Sequence, residues 1–177
     1  IGAVAGDRDL AATEAVVEAL DGRFLSQLTT RQAARHVRLA LDHDAAGEIV
    51  SLTVTHYPMK GVSEVAVVAP DVPGVLAAIA GALTANRVDV LGAVVGACER
   101  AGAPLAMDLF FVRDLVGEAI PEKDPRWRRL ADDLRELFAA GAPAPAAVEA
   151  LIAKRRPRSG LPPRITPAVT TEIRTVI

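Results

Sequence analysis

The spacing of apolar positions changes character along the chain. Over residues 9–20, Leu10, Val16, Val17 and Leu20 recur at helical spacing, and Asp21-Gly22 supplies a stop. Phe24, Leu25 and Leu28 form a short apolar connection. Thr29 or Thr30 is a good N-cap for a second helix over 31–41, with Val37 and Leu41 on one stripe and Ala34 nearby. Both helices have narrow apolar faces and few large residues, so they are expected to dock on some other surface. From Ile49 the period becomes two. Val50, Leu52, Val54 and His56 alternate with Ser51, Thr53, Thr55 and Tyr57, the mark of a half-buried strand. A turn at 58–61 leads into a more apolar, more central strand over 62–69, and the pair reads as an antiparallel hairpin.

A helix is predicted over 75–84 with Val75, Leu76, Ile79, Ala82 and Leu83 on its stripe, ended by Asn86. A strand over 88–98 follows, in which Gly92 and Gly96 mark bulges or a close backbone approach by a partner or ligand. Leu105, Met107, Leu109 and Phe111 alternate with Ala106, Asp108 and Phe110 as another strand, and Asp108 suggests that its face is not fully dry. A last helix over 125–140 sets Trp127, Leu130, Leu134, Leu137 and Phe138 against a charged side. The order ββαββα is that of an α+β, ferredoxin-like sandwich: a four-stranded antiparallel sheet with two helices on one face, preceded by N-terminal helices. That fold normally ends with a fourth strand beside the first. Here the strand from Ile49 can take the same edge from the N-terminal side.

Composition narrows the function. Apolar residues make up 51% of the 177 positions, so a packed interior is expected. Aromatic residues are only 3% and the formal net charge is −2, which argues against a stacking platform or a basic field for nucleic acid. A single cysteine, Cys98, cannot form an internal disulfide, and a cytoplasmic setting is the default expectation. The opening carries no basic leader, and no run is long enough to span a bilayer. The chain starts at Ile1 without Met and ends inside an alternating stretch, which reads as a piece of a longer protein.

Two features imitate chemistry. Asp42-His43-Asp44 contains both an Asp-x-Asp and a His-Asp pair, but each metal-dependent reaction needs further ligands, and only His36 and His56 remain. A polar helix end followed by a turn at Gly47 explains the residues more simply. Lys154-Arg155-Arg156-Pro157-Arg158 is either a phosphate or partner patch or a solvated tether, the tether being the simpler reading. No catalytic residue, metal ligand or cofactor is expected.

The stretch that organises the chain is Asp71-Val72-Pro73-Gly74 between a strand and a helix, four residues that by themselves also suit an ordinary turn. Pro73 fixes φ and suits a first helical turn, and Gly74 leaves backbone N–H groups reachable. Those donors and the helix dipole attract a carboxylate, while Asp71 can cap the helix or meet an ammonium group. An amino-acid zwitterion is a sensible guest. With Asn86-Arg87-Val88-Asp89-Val90 following, the run resembles the ACT domain, a small regulatory module that binds amino acids. His56-Tyr57-Pro58, Val62-Ser63-Glu64-Val65, the run from Ala106 to Asp114, and Gly117-Glu118-Ala119 resemble, more narrowly, the first of two tandem ACT domains in bacterial PII uridylyltransferase/uridylyl-removing enzymes.

The resemblance implies a division of the chain. Residues 1–47 would be a helical connector from an upstream domain and 48–140 the ACT domain. Residues 141–163 would be a helical and basic linker, and 164–177 the start of a second ACT domain. It implies an amino-acid effector, glutamine first, held by Asp71, Val72, Pro73, Gly74, Val75 and Leu76 with Val88, Asp89, Val90 and Gly92 as the neighbouring wall. Implied partners are a second ACT domain or a homodimer, with upstream catalytic domains and the PII protein in the parent. The fragment itself would not be an enzyme. Alternatives are a ligand-free dimerisation module, or the ACT regulatory domain of another protein of amino-acid metabolism.

Overall fold

The computed structural model describes residues 10–100 and 102–155, so the expectations for 1–9, for most of the basic run and for 164–177 lie outside it. Its elements are α1 (Leu10–Ala19), α2 (Gly22–Gln27), α3 (Thr30–Ala46), β1 (Ser51–Tyr57), β2 (Val62–Pro70), α4 (Val75–Ala85), β3 (Val88–Val94), β4 (Ala97–Arg100), β5 (Ala103–Asp114), α5 (Pro125–Phe138) and α6 (Pro145–Arg155). The sheet order is β1-β2-β5-β3, with β4 also on β5 and every pairing antiparallel. This is a mixed α/β arrangement consistent with a ferredoxin-like fold. The strand from upstream does take the edge beside β2, in register from Ser51↔Val68 to Tyr57↔Val62.

One strand was expected over 88–98, and two are found. β3 and β4 both lie along the long β5 and are interrupted at Val95-Gly96. The reason is local. A Cβ on Gly96 would stand 2.4 Å from the ring of Phe24, so the chain yields there to a side chain of α2. The register shift between Val90 and Gly92 is the bulge that Gly92 announced.

The expectation of helices on one face only needs correction, because both faces are covered. On one side, Val65, Val67, Ala69, Phe110 and Val112 pack with Ile79 and Leu83 of α4, Leu130 and Leu134 of α5, and Val148 and Leu151 of α6. On the other, Ala66, Val68, Leu105, Met107 and Leu109 meet Val16, Leu20, Phe24, Val37 and Ala40 of α1–α3. Alternate side chains of β2 and β5 therefore feed two cores, which is why β2 is buried from Ser63 to Ala69. The surface sought for the N-terminal helices is the back of this same sheet.

Local chemistry sets the helix ends. Thr29 and Gln32 form a reciprocal capping box at the start of α3. α3 runs through Asp42–Asp44 to Ala46, five residues past the expected limit of Leu41, and Gly47 closes it with φ 62. Asp21 caps α2, so the expected connection at Phe24 is a short helix. α4 and α6 pack closely at Gly81, where a Cβ would meet Val148 Cγ1 at 2.2 Å. No helix among the described residues is long and apolar enough to cross a membrane.

Candidate functional site

β2 ends at Pro70, and the chain turns through Asp71–Gly74 into α4. The turn is pinned at its start by the Asp71 N–H donating to the Pro104 carbonyl at 2.9 Å. It is pinned at its end by the Val75 N–H donating to the Val72 carbonyl at 3.1 Å. Gly74 is the N-cap of α4, with φ 90, a conformation that favours glycine. Pro73 thus lies before the helix rather than in its first turn. No side chain caps α4, so Asp71 does not take the capping role that its position allowed.

The consequence is a helix start with free donors. The Leu76 and Ala77 N–H groups have no hydrogen-bond partner among the described residues, and both residues are exposed. Asp71, Pro73 and Gly74 are exposed as well, and Val72 and Val75 half-buried. An open row of N–H groups at the positive end of an 11-residue helix is suited to an anion.

A second carboxyl stands behind the turn. Asp108 of β5 shares a face with Val67, its partner in β2, and is only 3% exposed. The face expected to be partly wet is therefore closed over this residue. Its Oδ1 accepts a long hydrogen bond, 3.4 Å, from the Gly96 N–H at the β3–β4 break. Burial pushes the Asp108 carboxyl up to about 6, the nearby Asp71 carboxylate pushes the same way, and the Gly96 N–H opposes them. Near neutral pH this group changes charge in response to small changes around it.

The wall proposed from sequence lies elsewhere. β3 pairs Val88 with Asp114 and Gly92 with Phe111, whereas β2 pairs Pro70 with Leu105. Val88, Asp89 and Val90 therefore stand at the far end of α4, about 16 Å from the turn for 11 residues at 1.5 Å each. Val88 is buried, and Asp89 accepts from Arg113 Nε at 2.9 Å. Val90 is exposed and Gly92 sits at the bulge. Within one chain the turn is bordered by the Pro104 carbonyl, which accepts from the Asp71 N–H, by the Pro143 carbonyl, 3.4 Å from where a Cβ of Gly74 would stand, and by the buried Asp108 carboxyl. In the sequence Asp108 is marked only as a polar residue in an apolar strand.

Asp42-His43-Asp44 has structural partners. His43 Nδ1 is 2.9 Å from Ser51 Oγ, and burial lowers its pKa. Asp44 accepts from Arg100 Nε at 3.0 Å. Among the described residues no three His, Cys, Asp or Glu side chains are grouped to hold a metal ion. Burial raises the Cys98 thiol above its usual value, which leaves it a poor nucleophile.

Comparison with known proteins gives one informative relative. Over 109 residues, 62% of this chain, the sequence is 37% identical to the bifunctional uridylyltransferase/uridylyl-removing enzyme of Rhodospirillum rubrum. The chain is similar to a segment of that enzyme. It spans only 11% of the enzyme's length. No family model and no solved structure matches.

Proposed function

We propose that residues 48–140 form an ACT-like regulatory module that binds a free amino acid, glutamine first, at the Asp71–Leu76 turn. The observation that carries this reading is the uncapped, exposed start of α4, with free Leu76 and Ala77 N–H groups beside the Asp71 and Asp108 carboxyls. A zwitterion fits both signs. Its carboxylate accepts from the two N–H groups, and its ammonium group faces Asp71, with Asp108 behind. About 4 kcal/mol of net contact corresponds to a dissociation constant of roughly 1 mM. That range suits a metabolite sensor. A tighter site needs another wall, and the distance from the turn to Val88–Val90 implies that a second copy supplies it. The edge is ready for one: Val90, Leu91 and Val95 are 38%, 50% and 52% exposed.

The resemblance at His56-Tyr57-Pro58 and over 106–114 supports reading such a module as part of an enzyme that modifies the PII protein. There, glutamine at the turn would set the balance between uridylyl transfer and removal by the catalytic domains. The relative's name supports this setting. A second reading, a ligand-free dimerisation module, draws on the same exposed edge.

Calorimetric titration of the 177-residue chain with L-glutamine, with light scattering to fix its oligomeric state, separates the two readings. The sensing module binds L-glutamine saturably, and Asp71→Asn weakens binding about tenfold through loss of a charge-assisted contact. The ligand-free module shows no heat, yet loses its dimer in Leu91→Lys. Silence toward glutamine at roughly 10 mM in both monomer and dimer would sink the sensing reading.

A further inference from the structure

At the end of α4 away from the turn, three arginine residues from different parts of the chain meet at one cavity. Ala85, Asn86, Arg87, Arg129 and Arg155 line a cavity of about 190 Å3. It adjoins a cleft of about 290 Å3 that shares Asn86, Arg87 and Arg129. Arg87 follows α4, Arg129 belongs to α5 and Arg155 ends α6. Among the described residues no carboxylate lines the smaller cavity.

The acids nearby are already engaged. Asp124 accepts from Arg126 Nε at 3.0 Å and Nη2 at 2.9 Å. Asp133 accepts from Asn86 Nδ2 and Arg155 Nη2, each at 2.7 Å. Asp114, in the adjoining cleft, accepts the Val116 and Glu118 N–H groups at 2.9 Å each. Arg87 and Arg129 form no ion pair among the described residues.

Two further features mark the cavity wall. Asn86 is 3% exposed, and neither its Oδ1 nor the buried Arg155 Nε has a hydrogen-bond partner among the described residues. Arg87 is also the one non-glycine residue at positive φ among those described, at φ 60. It occupies the position after a helix C-cap, where glycine would sit without strain. Local backbone preference thus gives no reason for arginine here, and its charge does.

We propose that the Arg87–Arg129–Arg155 cavity binds the phosphate group of a small soluble anion. Guanidinium groups on three elements surround a tetrahedral oxyanion from several sides, and each offers paired donors to its oxygens. In sequence the basic run continues past Arg155 through Arg156 and Arg158, so the stretch that read most simply as a tether begins at the rim of this site. The proposal is independent of the amino-acid reading, because the two places lie at opposite ends of α4.

The test titrates the 177-residue chain at constant ionic strength with inorganic pyrophosphate, inorganic phosphate and UMP in separate arms, read by calorimetry and thermal unfolding. Pyrophosphate is expected to bind saturably, and Arg129→Gln and Arg87→Gly each to weaken it about tenfold or more. Without anion, Arg87→Gly should unfold at the same temperature as the parent or higher, since glycine relaxes the backbone. That separates lost binding from lost folding. Tighter binding of UMP than of inorganic phosphate identifies a nucleotide as the phosphate's carrier, and the reverse identifies the free anion. A response no larger than that to chloride, or unchanged pyrophosphate binding in both variants, overturns the proposal.

Discussion

Replacing Asp108 by asparagine should stabilise the protein at neutral pH and leave its stability in acid nearly unchanged. The folded protein holds this carboxyl at about 6 against its ordinary 3.8, chiefly because burial penalises the charged form. The folded state therefore keeps a proton that the unfolded chain gives up. As pH rises through 3.8 the unfolded state ionises first, and stability falls until the folded group has ionised as well, above about 6. A difference of about 2 pK units at 1.36 kcal/mol each makes the loss about 3 kcal/mol. Asparagine keeps the shape and the Oδ1 acceptor for the Gly96 N–H but carries no charge. Urea unfolding of both proteins from about pH 4 to pH 8 gives the difference directly, and titrations elsewhere cancel in it. The curves should coincide near pH 4 and separate between pH 4 and pH 6.5, with asparagine more stable by up to about 3 kcal/mol. A gap that does not vary with pH, or a less stable asparagine variant near pH 7, refutes the reasoning. The same carboxyl gives the proposed effector site a signature. An ammonium group bound nearby favours the charged form, so glutamine binding near pH 6 should release protons, detectable as buffer-dependent heat.

Gly96→Ala should cost about 1–3 kcal/mol through its clash with the Phe24 ring, and a double-mutant cycle with Phe24→Leu should recover much of that loss; simple additivity would show that the close approach is not the cause. Burial holds the His36 imidazole below its usual 6.5, against the Gln32 carbonyl that accepts from Nδ1, so the unfolded chain takes up a proton first as pH falls below 6.5. The stability present above that pH is lost on acidification through the lower folded value, and His36→Leu should reduce the loss; an unaltered acid limb in chemical denaturation would contradict this. Glu64, 8% exposed, accepts from Gln32 Nε2 at 2.7 Å and Tyr57 OH at 3.2 Å and pairs with Arg35, tying α3 to the sheet. Glu64→Ala should cost about 2–3 kcal/mol by leaving Gln32 Nε2 unpaired and the Arg35 charge with only Tyr57 OH as partner, with hydrogen exchange increasing in α3; protection equal to the parent's would remove Glu64 from that role.

Much of the fold was legible because its causes are local. The shift from helical spacing to alternation at Ile49, the Thr29 cap and the strand–turn–helix at Asp71–Gly74 each follow from residues within a few positions of one another. The edge position of β1 followed from chain order, since a strand joined to β2 by a short turn pairs with it. The break between β3 and β4 was half legible. Gly96 marked the place, but the Phe24 ring that requires it comes from more than seventy positions earlier in the sequence.

The sequence alone determined most of the elements and the turn without a Cβ at Gly74. Only the tertiary structure decided what faces that turn. It placed α1–α3 on the back of the sheet, set Val88–Val90 at the far end of α4, and buried Asp108 where its charge is costly. It also gathered Arg87, Arg129 and Arg155 around one cavity. Periodicity and turn chemistry are written in neighbouring residues, whereas burial and electrostatic coupling arise between residues far apart in the chain, and no local pattern records them.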